Sequence, residues 1–305
     1  MNIRVPVKTP HPLKIFCLAW RGHIYLPLIS TELLLLDRNV LSKVSAPDRI
    51  SDKAEQYWIG EFNRVSQNIN PILTAYEGCF RRRPARAEFQ QELSKSYEKL
   101  RQLYPAKQVI KHSPETSGQL YDALEPKLDR QEQEVKFLLA AVPLVVHRPS
   151  DMDLMPKIRE LSRIANDFGL RGRSLVQIAL MSCISESKHG EKLSAGRRII
   201  KPKSSFSRGD AHNAVADIHY LEFLLAAASG PFGPIVLCTM DRGLAEFWLG
   251  LNVSHSVRNE KNDISYRFSM DKKLCPRLNS EQLDETRALV KGRNGKNGVR
   301  FTFRD

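Results

Sequence analysis

The sequence predicts an α/β fold with a mainly parallel central sheet flanked by helices, and three features predict it. Leu33 to Leu36 is an unbroken apolar run closed at once by Asp37, Arg38 and Asn39, which suits a strand buried on both faces. Ile235 to Met240 is a second such run, entered through the turn-rich "SGPFGP" and followed by Asp241, Arg242 and Gly243; its β-branched residues favour a strand. Between the serine-rich stretch near Ser205 and that second run, Val215, Ile218, Leu221, Leu225 and Ala228 recur at helical spacing. Helix, short loop and strand make one α/β step.

The other elements follow in chain order. Residues 1–30 read as an N-terminal extension of no assigned role. From 50 to 132 the pattern is mostly helical, and clearest from Ala85, where Phe89, Leu93, Tyr97 and Leu100 form one stripe. Ala140 to His147, "AAVPLVVH", is expected to supply a further strand. In "DLMPKIRELSRIANDFGLRG", Pro156 and Gly169 mark the start and stop of a helix, and another covers Ser174 to Ile184. The stretch from Lys188 to Arg208 sets Lys188, Lys192, Arg197, Arg198, Lys201, Lys203 and Arg208 against Glu186 and Glu191, and reads as a basic loop. The carboxyl end reads as a basic tail, with a short strand at Val299 to Phe303 as the alternative. The expected layout is an extension (1–30), a main domain (31–260) with additional helical and basic-loop insertions at about 85–210, and a basic C-terminal extension (261–305).

Composition limits what such a fold could do. With 42% apolar and 27% charged residues the 305-residue chain is ordinary globular material, but a formal net charge of +13 points to a polyanionic partner. The five cysteines are widely spaced with no C-x-x-C pair, which fits a reduced interior better than a disulfide scaffold or a zinc site. No secretory segment is evident at the start. The longest apolar runs, Phe137 to Val146 and Phe223 to Ala228, fall far short of the ~20 residues that span a bilayer. A cytoplasmic protein without a membrane partner is expected.

In a parallel sheet the ligand site lies outside the carboxyl ends of the strands. Asp37 and Asp241 each follow a predicted strand, so parallel neighbours would put both carboxylates on one rim. Capping of the following helix is the competing role for either aspartate. Asn213 and Asp217 share a face of the helix leading into the second strand, Asp210 lies just upstream, and Glu77 sits among apolar and small residues. Crowding carboxylates costs on the order of 4 kcal/mol per pair at ~4 Å and an effective dielectric of ~20. Hard oxygen ligands without thiolate or imidazole suit Mg²⁺ or Mn²⁺ as the compensating charge.

"LLLLDRNVLSKV", the acid of "ILTAYEGC", "NAVADIHYLEFLLAAAS" and "PIVLCTMDRGLAEFW", in that order, resemble the four acidic motifs of the PIN-domain nucleases. Asp37 with Asn39, Glu77, Asp217, and Thr239 with Asp241 stand at the matching places; Arg38 replaces that family's small residue. Glu61, Glu55 and Asp52 compete with Glu77 for its place, and Asp210 with Asp217. The resemblance implies a PIN-like fold and metal-dependent cleavage of phosphodiester bonds, usually in RNA. It implies that Asp37, Asp217, Asp241 and Glu77 hold Mg²⁺ or Mn²⁺, with Asn39 and Thr239 supporting the carboxylates. Toxin or antiviral defence work on tRNA or another structured RNA, restrained or activated by a protein partner, is the family-level expectation.

The basic residues complete that expectation. Arg81, Arg82 and Arg83 follow Glu77, while Arg197, Arg198, Lys201, Lys203 and Arg208 precede Asp217, so both groups are expected to flank one cleft and bind nucleic acid. Phe206, Trp248 or Tyr220 could stack on unpaired bases, against the alternative that they belong to the core. His212 and His219 are expected as satisfied side chains. No phosphate-binding glycine loop, H-E-x-x-H or nucleophile-elbow pattern is present. Two readings rival an endoribonuclease: a non-catalytic nucleic-acid-binding scaffold, and a DNA or flap-type nuclease. Oligomeric state is left open.

Overall fold

A computed structural model describes residues 9–20, 22–29, 33–64, 68–78, 81–105, 107–170, 172, 174–187, 193–228, 234–253, 255–258, 264–268, 270, 272–291 and 300–303. Its elements are β1 (Phe16–Ala19), β2 (Gly22–Ile24), β3 (Leu33–Leu36), α1 (Arg38–Val44), α2 (Lys53–Arg64), β4 (Asn68–Asn70), α3 (Ile72–Glu77), α4 (Arg86–Leu103) and β5 (Gln108–Val109). They continue as α5 (Pro114–Ala141), α6 (Asp151–Asp167), α7 (Leu175–Ile184), α8 (Ala195–Ile200), α9 (Arg208–Ala228), β6 (Ile235–Thr239), α10 (Arg242–Leu251), β7 (His255–Arg258), β8 (Ile264–Phe268), α11 (Ser280–Val290) and β9 (Arg300–Phe303).

The central sheet runs β2-β1-β6-β3-β4-β5. The four strands from β6 to β5 are parallel, and β1 and β2 add antiparallel strands on the β6 side. β3 lies in the middle and is covered on both faces. Leu34 and Leu36 join Val40, Trp58, Phe62, Val236 and Cys238 on one side. Leu35 joins Leu73, Val215, Ile218 and Leu237 on the other. Each buried leucine is worth roughly 1.5–3 kcal/mol, so the period-two alternation holds this strand in the interior, and its parallel register with β6 sets Leu36 opposite Cys238.

Several expectations are corrected. The residues expected as an N-terminal extension supply β1 and β2, with Cys17 paired across the ladder to Cys238. The strand expected at Ala140 to His147 is instead the end of α5 followed by a tight turn at Val142–Leu144, closed by Val145 N–H donating to Val142 O at 2.9 Å. A short buried apolar run looks alike in either conformation, and Pro143 has no N–H for a ladder. β4 and β5, only three and two residues long, lie inside the region expected to be helical.

The basic stretch from Lys188 to Arg208 is likewise more than a loop. Ser194 accepts from Arg197 N–H at 3.2 Å and caps α8, which ends at Lys201 in the left-handed conformation (φ 51°). Gly196 lets α8 press on α7, because a Cβ there would lie 2.1 Å from the Ala179 carbonyl oxygen. Lys188 and Lys192 lie outside the described residues.

The region expected as a basic tail contributes β8 and β9, which pair in parallel within a three-stranded second sheet, and α11. Ser162 of α6 donates to Leu289 O at 3.0 Å, and Arg159 pairs with Glu285, so α11 is tied to α6. Among the described residues, no helix is long and apolar enough to cross a membrane.

Candidate active site

Because β3 and β6 are parallel neighbours in register, the residues that follow them emerge at the same edge of the sheet. Asp37 N–H donates to Cys238 O at 3.0 Å, which locks the first of these exits onto the second strand. Both aspartates cap the helix they precede: Asp37 Oδ1 accepts from Val40 N–H at 2.6 Å, and Asp241 Oδ1 from Leu244 N–H at 2.9 Å. Capping and site formation are therefore compatible, since a cap uses one carboxylate oxygen and leaves the other. Thr239 links the pair. Its buried hydroxyl bonds the Asp37 carboxylate and accepts from Asp241 N–H at 2.9 Å.

Two further carboxylates reach this edge. Asp217 comes from α9 and Glu77 from the last position of α3. Burial, and then the negative charges of Asp241, Glu77 and Asp37, raise the Asp217 carboxyl well above the ordinary carboxylate range. Burial pushes Asp37 up to about 7, against hydrogen bonds from Thr239, Val40 and Met240 and with added repulsion from Glu77. Glu77 is also raised by burial, although the Tyr220 hydroxyl, which donates to its Oε2 at 2.5 Å, and the Arg38 guanidinium hold it back. Arg38 donates to Gly78 O and pairs with Glu92 at 3.2 Å. His212 Nε2 is 3.1 Å from Glu77 O.

The competing acids have partners of their own. Glu61 pairs with Arg64, Glu55 with Lys43 and Asp52 with Lys14. Asp210 caps α9 through Ser207 N–H at 2.8 Å and pairs with Lys203 at 3.0 Å, which together hold its carboxyl down to about 2. The structure thus brings Asp37, Glu77, Asp217 and Asp241 together and leaves Asp210 out.

Asp37, Glu77 and Asp217, each raised by burial, form with Asp241 a site short of positive charge. All-oxygen donors fit Mg²⁺ or Mn²⁺. The quartet is spread wider than one ion's coordination shell: among the described residues, the three candidate ligands with donor atoms all within 4.8 Å of one another are a different set, Glu134, His219 and Glu222.

Two open grooves meet at Asp241. One, of about 620 Å³, is lined by Arg197, Arg198, Lys201, Asp241 and Arg242. The other, of about 560 Å³, is lined by Lys14, Asn39, Lys43, Glu55, Asp241 and Arg242. Lys201 is 73% exposed with its Nζ 3.9 Å from Asp241 Oδ2, and Arg198 pairs with Glu246 at 3.3 Å. Asn39 is exposed in the second groove, whereas Thr239 is the buried partner of the carboxylates.

Other basic residues are committed within the fold. Arg197 is 13% exposed, pairs with buried Glu186 at 2.9 Å and donates to Val145 O at 2.8 Å, so it holds α8 to the end of α5. Arg82 pairs with Glu88, Arg83 with Asp129 and Glu125, Lys203 with Asp210 and Arg208 with Glu132. Arg81 is exposed and strained at φ 51°. The aromatic residues do not offer stacking platforms: Tyr220 and Trp248 are buried, the indole N–H donating to Ala19 O and Gly22 O at 3.0 Å, and Phe206 packs against the core. The parts that sequence reasoning missed are the Tyr220 hydroxyl on Glu77, the Arg38 charge beside it, and the nearness of Lys201 to Asp241. The only signal for the last was its lysine-rich surroundings.

Compared with known proteins, the chain matches no family model, no curated protein and no solved structure.

Proposed function

We propose that this chain is a Mg²⁺- or Mn²⁺-dependent endoribonuclease. The observation that carries the reading is the convergence of Asp37, Glu77, Asp217 and Asp241 at one edge of the sheet, where two grooves with basic walls meet. Asp37, Asp217 and Asp241 would draw inward onto one or two ions, with Glu77 completing the donor set. A divalent ion bound there supplies a water of lowered pKa and neutralises charge on a phosphate. Lys201, Arg198 and Arg242 would position the backbone phosphates on one side of Asp241, and Lys14 and Lys43 on the other. Thr239 and Tyr220 hold the Asp37 and Glu77 carboxylates in place, the kind of support whose loss typically costs 10–100-fold in metal affinity or activity.

The test is incubation of the purified chain with total RNA and with a matched single-stranded DNA, in Mn²⁺, Mg²⁺ or EDTA. Discrete RNA fragments that disappear in EDTA are expected. Binding without cleavage in any metal would move the reading to a non-catalytic nucleic-acid-binding protein, and preferential cutting of DNA to a deoxyribonuclease.

A further inference from the structure

A second polar cluster lies inside the helical layer, between α5, α7 and α9. Eleven buried side-chain nitrogens and oxygens among the described residues lack a hydrogen-bond partner, and seven of them belong here: Arg130 Nε, Glu134 Oε1, Glu222 Oε1 and both amide atoms of Gln131 and of Gln177. Native interiors satisfy nearly all such atoms, so a concentration of orphans marks a place built for something further. Glu134, Gln131, Gln177 and His219 are each no more than 1% exposed, and Glu222 is 4% exposed. Gln131 stands one helical turn before Glu134. Gln177 stands one turn after Ser174, whose side chain bonds Glu134.

We propose that Glu134, His219 and Glu222 form a binding site for one divalent transition-metal ion of the zinc class, separate from the acidic centre. Their donor atoms all lie within 4.8 Å of one another. His219 and Glu222 stand three apart on α9, and Glu134 faces them from α5, with His219 Nε2 bonded to the Glu134 carboxylate. An imidazole nitrogen with two carboxylates suits a borderline ion such as Zn²⁺, where the all-oxygen quartet suits Mg²⁺ or Mn²⁺. Tyr76 Oη bonds the other ring nitrogen, Nδ1, so the ring is oriented with Nε2 toward the glutamates, as ligating histidines are usually held.

Arg130 pairs with Glu222 and lies 3.7 Å from Glu134, and it supplies the positive charge when no ion is bound. Its side chain is 18% exposed, so it has a path to solvent when an ion takes its place. The site would tie α5 to α9 behind the acidic centre. Tyr76, the support of His219, immediately precedes Glu77 on α3, so an ion here would brace the helix that presents Glu77.

The experiment uses the full chain stripped with EDTA, as wild type, Asp241→Asn, His219→Asn and Glu222→Gln. Each is equilibrated with Zn²⁺ and, in parallel, Co²⁺, then desalted, with metal content and the visible Co²⁺ spectrum recorded. The expected result is one retained Zn²⁺ per chain in wild type and in Asp241→Asn, at least a tenfold loss of retention in the other two variants, and a Co²⁺ spectrum indicating nitrogen ligation. Wild-type protein that is folded by circular dichroism and retains no Zn²⁺ overturns the proposal, as does equal retention by His219→Asn and Glu222→Gln. If those two variants fail to fold, the wild-type metal content and Co²⁺ spectrum decide it.

Discussion

Tyr220 on α9 donates its hydroxyl hydrogen to Glu77 Oε2 at 2.5 Å, so the carboxylate presented by the short helix α3 is held by a buried phenol from the helix that also carries Asp217. Tyr220→Phe keeps the ring and its packing but removes the donor. Metal-dependent cleavage is expected to fall about 10-fold, within the range for supports of metal-site ligands, with the fold intact by circular dichroism. Unchanged kcat/KM would show that Glu77 needs no such support.

The Asp37 carboxyl, pushed up to about 7, ties stability to pH in the absence of metal. It binds its proton more tightly in the folded chain than in the unfolded one, where its pKa is about 3.8. Its contribution therefore favours folding fully below about pH 4 and is lost as pH rises through about 7. In EDTA the Tm of wild type relative to Asp37→Asn is expected to fall between pH 4 and 8, and Mn²⁺ is expected to restore it at the upper end. A Tm difference that stays flat or rises with pH contradicts this.

Half-buried Asp217 bears the repulsion of three other carboxylates. Asp217→Asn removes a charge that the metal-free protein must accommodate. Stability in EDTA near neutral pH is expected to rise, because the folded chain disfavours the ionised carboxylate at this position, while cleavage is lost. Urea melts in EDTA check the first part, and a variant less stable than wild type would contradict it.

The basic residues divide by role. Arg197→Ala leaves Glu186 buried beside one fewer guanidinium and frees the Val145 carbonyl, so a stability loss of about 3 kcal/mol is expected. Lys201→Ala removes an exposed charge beside Asp241. It is expected to leave Tm within ~1 °C, because exposed pairs contribute little, and to reduce the salt slope of RNA binding by about 1. Denaturant melts and salt-dependent binding isotherms separate the two, and the reverse assignment would contradict the account.

Much of the site could be read from sequence because it lies where the sheet pattern is strongest. The runs Leu33–Leu36 and Ile235–Cys238 are apolar on every residue, and the first carboxylate after each, Asp37 and Asp241, lies within three residues of its end. Asp217 was legible from the helical period of α9. The rest depends on contacts distant in sequence. β1, β4 and β5 are strands of two to four residues whose identity comes from the neighbour they pair with, and no local pattern distinguishes them. The end of α5 looked like a strand because a buried helix end and a buried strand share one composition. Arg197 resembled its exposed neighbours in composition, and only its burial against Glu186 separates it from Lys201. The network of Glu134, His219 and Glu222 joins helices about 85 residues apart, beyond any local reading.

The most direct test of the central claim is the rate of RNA cleavage as a function of Mn²⁺ concentration, for wild type and Asp241→Asn. Asparagine caps helices about as well as aspartate, so α10 keeps its start and only the charge is removed. The account predicts saturable activation of the wild type by Mn²⁺, and for the variant a rate at least 100-fold lower or a much higher Mn²⁺ requirement. Cleavage by the variant at the wild-type rate and with the wild-type Mn²⁺ dependence would mean that the carboxylates at the edge of the sheet do not hold a catalytic ion.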